Sequence, residues 1–184
     1  MPKDATIITL KRNSKRSLLH AVAMLVASAV LAACSNIDCP LDNVVLMQCG
    51  LYASETRTAL TLTDTLTVRP AGRDTVLLNR AQGISSFLLP LRESGMQDTL
   101  LLCLSDAQGR RAIDTLFVQH TPQPHFESLD CPAAVYHTLH AVRYTSHPLS
   151  QLPLTVDSVA LVRSIVNYDD IENLRIYLRA TTAQ

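Results

Sequence analysis

The sequence predicts an all-β protein: an immunoglobulin-like antiparallel β-sandwich of about eight to ten short strands, preceded by an N-terminal export segment. Three observations predict it. From residue 44 onward, short runs that are apolar, or that alternate apolar with polar residues, are separated by turn formers. Stretches with helical periodicity are few. An acid and a β-hydroxyl recur just ahead of an aliphatic run, at Asp64-Thr65-Leu66, Asp74-Thr75-Val76, Asp98-Thr99-Leu100, Asp114-Thr115-Leu116 and Asp157-Ser158-Val159. Asp can bond its own backbone in a turn, and Thr and the aliphatics favour the pleated strand that follows, so these tripeptides read as strand entrances. Their irregular spacing, without a D-x-D-x-D-G loop, argues against calcium loops and against a solenoid repeat.

The export segment comes first. Lys11, Arg12, Lys15 and Arg16 make a basic start, and Leu18 to Ala33 supplies 16 mostly apolar residues. That is short of the roughly 20 a membrane-spanning helix needs. The run ends Leu31-Ala32-Ala33-Cys34, two small residues and a cysteine, the arrangement of a lipoprotein signal peptide. Cleavage before Cys34 would leave a terminal cysteine carrying lipid, so membrane lipid is the expected partner through Cys34, and the cell envelope the expected location. Residues 1–33 are read as signal peptide, 34–43 as a lipidated tether and 44–184 as the sandwich domain.

Candidate strands follow in order: Val44 to Tyr52, Ala59 to Thr63, Leu66 to Arg69, Thr75 to Leu78, Ser86 to Leu91, Thr99 to Leu104, Thr115 to His120, Val135 to Tyr144, Ser158 to Val166 and Leu174 to Arg179. The Thr99 to Leu104 run is apolar on both faces, which fits a central strand covered on each side or a sandwich strand near a lid segment, with Leu100, Leu102 and Leu104 on one face. Thr121 to Pro124, with two prolines, reads as a connection between two lobes of one sheet system.

Without residues 1–33 the chain keeps 151 residues, enough for one core, with 11 Arg, no Lys and 15 acids. A formal charge near −4 gives no support for nucleic-acid binding. Four cysteines remain besides Cys34, and an oxidising compartment permits disulfides among them. Cys39 and Cys131 sit in matching Asp-Cys-Pro tripeptides, so the expected bridge joins these two, with pairings through Cys49 or Cys103 as alternatives. No C-x-x-C pair is present, and no zinc or other cofactor is expected.

Candidate chemistry is sparse. His137 and His140 lie three apart, which on a strand sends their imidazoles to opposite faces. His120, His125 and His147 lie beside prolines or turns and read as surface residues. Neither G-x-S-x-G nor S-x-x-K occurs; Gly83-Ile84-Ser85-Ser86-Phe87 reads as a turn entering a strand, and Asp169-Asp170-Ile171-Glu172 as a solvated turn. No residue is assigned a catalytic role.

From Phe126-Glu127-Ser128-Leu129-Asp130-Cys131, through Tyr136-His137-Thr138 and Asp157-Ser158-Val159, to Glu172-Asn173-Leu174-Arg175-Ile176-Tyr177, the chain resembles a family of small envelope lipoproteins of Bacteroidetes type whose domain has no assigned function. Upstream, Asp74 to Arg80 and Ile84 to Leu91 resemble the same family. The resemblance implies no reaction, ligand or catalytic residue. Dense acids after the lipidated cysteine look like a surface-export tag in such lipoproteins, and Ser35-Asn36-Ile37-Asp38 holds one acid, so the expected position is the outer membrane, facing the periplasm. The expected role is a non-enzymatic binding or accessory module for an envelope protein or glycan. A fimbrial or adhesin-like subunit is the alternative, because fimbrial lipoproteins of similar bacteria also look like β-sandwiches. An envelope hydrolase is a third reading, motivated by five histidines and many acids.

Overall fold

The computed structural model describes residues 20, 44–128, 131–152, 154–169 and 171–180. The chain divides into two compact units, Met1–Asp38 and Cys39–Gln184. The described part of the second unit contains no helix; it is built from ten strands in two sheets. They are β1 (Leu46–Ala53), β2 (Thr65–Pro70), β3 (Leu78–Ala81), β4 (Ser86–Pro90), β5 (Gln97–Ser105), β6 (Arg111–His125), β7 (Ala134–Thr145), β8 (Leu154–Leu161), β9 (Ile165–Val166) and β10 (Leu174–Ala180).

One sheet has the order β4-β1-β10-β8 and the other β3-β2-β5-β6-β7-β9. Neighbours are antiparallel except β1 and β10, which run parallel with Leu51 opposite Ile176. Alternation supplies the core. In β5 the inward set is Asp98, Leu100, Leu102 and Leu104, and in β6 it is Ala112, Asp114, Leu116, Val118 and His120, all buried. Met47, Cys49 and Leu51 of β1 and Leu174, Ile176 and Leu178 of β10 complete the same hydrophobic cluster from the other sheet. The expected sharing of one face by Leu100, Leu102 and Leu104 holds, and β5 is central, between β2 and β6.

Several boundaries move. Ala59 to Thr63 forms no strand, only an isolated bridge from Ala59 to Tyr52. Thr75 to Leu78 is replaced by β3, which starts at Leu78; Val76 stays exposed on the approach. Ser158 to Val166 is divided between β8 and β9.

Thr121 to Pro124 is not a connection but part of β6. The register explains how prolines are accommodated there. Pairing of β6 with β5 ends at Gln119, with one last bond from the His120 N–H to the Met96 carbonyl, and residues 121–125 pair with β7 alone, Pro122 opposite His137 and Pro124 opposite Val135. A strand that lacks a neighbour on one side has main-chain groups outside the ladder, so the missing N–H of proline removes no sheet hydrogen bond there.

The strand-entrance reading also needs correction. Asp64 does precede β2, but Asp98 lies within β5, Asp114 within β6 and Asp157 within β8. Asp98 and Asp114 are buried at 3% and 0% exposure. Their carboxyl groups face the core, where each needs partners.

Candidate functional site

Asp98 and Asp114 anchor two buried networks at opposite ends of the inner face of the six-stranded sheet. At the first, Asp98 pairs in register with Val118, which places His120 diagonally across from it, within side-chain reach. A register shift between Gln119 and His120 then sets His120 opposite Leu139, with His137 diagonal on β7. Asp98 Oδ2 lies 3.1 Å from His120 Nε2, and His120 Nδ1 lies 3.1 Å from His137 Nδ1. With both rings neutral, His120 donates from Nε2 to Asp98 and accepts at Nδ1 from the Nδ1–H of His137. Arg92 closes the outer side, donating its backbone N–H to Asp98 Oδ2 at 3.0 Å and its Nε–H to Oδ1.

Burial keeps both rings neutral. His120 is held below the ordinary histidine value by desolvation, against the opposing pull of Asp98. His137 is pushed down to about 4, first by burial and then by His120. The two histidines expected to diverge do so: His137 is buried, whereas His140 is exposed and bonded to Thr121 Oγ1 at 2.7 Å.

At the other end, Asp114 ties the two sheets together. Its Oδ1 accepts from the backbone N–H of His147 at 2.6 Å and from His147 Nδ1–H at 2.8 Å. Its Oδ2 accepts from the backbone N–H of Val156, on β8 of the other sheet, at 2.9 Å. Thr155 Oγ1 donates to the carbonyl of His147 at 3.0 Å.

Neither network has the geometry of a nucleophilic triad. Thr155 Oγ1 stands 3.4 Å from His147 Nδ1, the same nitrogen that Asp114 engages, whereas a nucleophile must sit at the opposite ring nitrogen. That nitrogen, His147 Nε2, is buried without a hydrogen-bond partner. Among the described residues, no group of three or more His, Cys, Asp or Glu side chains is arranged to hold a metal ion.

His120 and His147, expected at the surface, are therefore buried at 0% and 7% exposure. The proline and turn residues beside them do not record which face each ring takes. His125 does lie at the surface, stacked on Tyr136 with 4.2 Å between ring centres. Asp169 is exposed and paired with Arg163 at 2.7 Å, as a solvated turn requires.

Cys34 and Cys39 lie outside the described residues. Cys49 and Cys103 are free thiols, so the alternative bridges through them fall. Cys49 is fully enclosed in the core, and burial pushes its thiol far up, which makes it unreactive. Cys131 is engaged in a disulfide.

An open concave feature lies on the other face of the six-stranded sheet. A groove of about 390 Å³ runs over β2, β5 and β6, with the outward residues Thr65, Thr67 and Arg69 of β2, Cys103 and Ser105 of β5, and Arg111 and Ile113 of β6. Val76 and Arg80 close it from the β3 side, and no Asp or Glu lines it. Of the 11 arginines beyond residue 33, Arg92, Arg110, Arg163, Arg175 and Arg179 pair with carboxylates. Arg57 and Arg143 lie over aromatic rings. Among the described residues, Arg69, Arg73, Arg80 and Arg111 do neither; Arg73 lies outside the groove, the other three share it, and Arg69 Nε is buried without a hydrogen-bond partner.

The bulge that places Arg80 is local. Leu66 opposes Ala81 and Val68 opposes Leu78, so Asn79 and Arg80 together face Thr67. Arg80 takes a left-handed backbone with φ of 47°, and its N–H donates to Thr67 Oγ1 at 3.2 Å. Such a conformation costs a non-glycine residue about 1 kcal/mol or more. Nothing in the linear order of residues announces this site, because its arginines belong to three strands and share no common spacing. The one signal is the period-2 placement of polar residues opposite Leu66 and Val68, at Thr65, Thr67 and Arg69.

No curated protein and no solved structure shows a significant match to the chain.

Proposed function

The chain belongs to the family of unknown function DUF6452, whose model matches residues 49–178, and we propose that it is a lipid-anchored, non-enzymatic binding module of the cell envelope. The observation that carries the reading is the separation of chemistry from access. The open groove holds cations and hydroxyls but no acid–base pair, while the Asp–His pairs are closed inside the sandwich. A groove that can hold but lacks a general acid or base suits recognition.

The anchor is proposed at Cys34, behind Leu31-Ala32-Ala33, with the domain facing the periplasm from the outer membrane. Two or three acyl chains would hold it durably, since one chain alone binds only marginally. We further propose that Cys131 pairs with Cys39. Support comes from the matching Asp-Cys-Pro tripeptides and from the free state of Cys49 and Cys103.

Labelled palmitate is expected to enter the wild-type chain in its native host and to be absent from Cys34→Ala, which should accumulate unprocessed. Label retained in that variant refutes the anchor. Peptide mapping without reductant should recover a Cys39–Cys131 crosslinked peptide; an alkylated Cys131, or one joined to Cys34, refutes the pairing. Crosslinking on intact cells should capture an envelope partner or glycan, and empty crosslinks together with blank glycan arrays would remove the binding role. Polymers of the chain under electron microscopy would replace that role with a fimbrial one.

A further inference from the structure

We infer that the outer-face groove bordered by β3 and β6 binds an oxyanion, a phosphate or carboxylate carried on a small apolar body, held by Arg69, Arg80 and Arg111. The inference rests on the binding-module reading above and gives that module a ligand class.

Charge is the first argument. Beyond the signal segment the chain is acidic and spends most of its arginines on carboxylates and rings, yet three unpaired ones share a single groove that no carboxylate enters. Guanidinium groups present planar forks of donors that match phosphate and carboxylate oxygens. In a chain whose remaining cations are all arginine, the cations are already of the type suited to two-point oxyanion contacts. Arg69 Nε supplies the second argument: a buried donor without an acceptor is costly, and an anion in the groove would satisfy it.

The backbone supplies the third. Arg80 is carried by a bulge in a conformation that glycine would adopt with less strain, and bulges and strained residues re-aim side chains at working sites. Thr67 Oγ1 accepts the Arg80 N–H, which leaves its own proton to donate toward a ligand. Thr67, Cys103 and Ile113 stand in register across β2, β5 and β6. Two strand spacings separate β2 from β6, about 10 Å, a span that arginines reaching in from both sides can bridge.

The apolar part of the ligand follows from Val76 and Ile113, which line the groove at 46% and 47% exposure. They offer contact to a short hydrocarbon beside the charge. A membrane headgroup and a free amphiphilic anion share this chemistry.

Calorimetric titration of the full chain in neutral detergent, with detergent blanks, tests the inference with three probes: inorganic phosphate, n-butyl phosphate and dihexanoyl phosphatidylglycerol. Saturable binding of n-butyl phosphate or of the lipid is expected, tighter than inorganic phosphate and weakening as salt rises. Saturation by the lipid alone assigns a headgroup; saturation by n-butyl phosphate assigns a free anion. Arg69→Gln and Arg111→Gln should each weaken binding about tenfold or more. Arg80→Gly should weaken it comparably while leaving the melting temperature unchanged or raised, because glycine accepts the left-handed backbone. Binding that is equal in wild type and all three variants, or no saturable binding of any probe, overturns the inference. Neither result bears on the palmitate label or on the envelope crosslinks, by which the anchored binding module stands or falls separately.

Discussion

Asp114→Ala should destabilise the protein by about 3–5 kcal/mol, since it strips the acceptor from several buried donors at once. The backbone N–H groups of His147 and Val156 and the Nδ1–H of His147 would all lose their partner in a site with 0% exposure at Asp114. Because Val156 belongs to one sheet and Asp114 to the other, the loss falls on the contact between layers. For a domain of this size the melting temperature should fall by roughly 6–20 °C. Asp114→Asn keeps one acceptor oxygen but turns an amide N–H₂ toward a main-chain donor, so an intermediate loss is expected. It also provides a folded comparison should the alanine variant fail to fold. Thr155→Val removes the bond to the His147 carbonyl and the longer contacts to Asp114 Oδ2 and His147 Nδ1, and should cost about 1 kcal/mol. An alanine variant melting within a degree or two of wild type would show that Asp114 does not tie the sheets.

Acidification from pH 7 toward 4.5 should lower stability through the His120–His137 pair, and His137→Gln should lessen that loss. Burial holds both imidazoles below the ordinary value of 6.5, His137 at about 4. The same histidines in the unfolded chain take up protons near 6.5, so between those limits the unfolded state binds more protons than the folded one. Stability from the pair is therefore whole above about pH 6.5, declines as pH falls, and is fully lost near 4. The charges around the pair agree with this direction. Arg92 and His140 also disfavour a proton on His120, and Asp98 alone opposes them. One pH unit of displacement corresponds to about 1.4 kcal/mol, so the window is worth a few kcal/mol.

The carboxyl groups of Asp106 and Asp169 are held below 3.8, Asp106 by its bonds to Arg110 in spite of desolvation and Asp169 chiefly by Arg163. Their contribution is lost only at lower pH, outside this window. In His137→Gln an amide N–H can still donate to His120 Nδ1 without titrating. Urea midpoints measured from pH 7 to 4.5 should fall less steeply in the variant. Parallel curves for wild type and variant would refute the assignment.

The positions of strands were readable in the sequence wherever the alternation was strict. Leu46 to Ala53, Gln97 to Ser105 and Leu174 to Ala180 lie close to where apolar periodicity places them, since alternate side chains must enter one core. Prolines misled because their tolerance depends on whether a neighbour pairs on both sides. Pro122 and Pro124 sit inside β6 where β5 has already ended. Short polar motifs misled for a related reason: Asp98 and Asp114 have the local preferences of turn residues, but tertiary partners outweigh those preferences.

By itself the sequence determined the all-β class, the inward leucines of β5 and the opposed faces of His137 and His140, because each depends on a period of two within one segment. Which sheet each strand joins, the burial of His120 and His147, and the gathering of Arg69, Arg80 and Arg111 on one face were decided only by the folded chain. Those features depend on register between segments distant in sequence, and on bulges that shift it. A side chain acquires its partner from the strand across the ladder, which no linear spacing records.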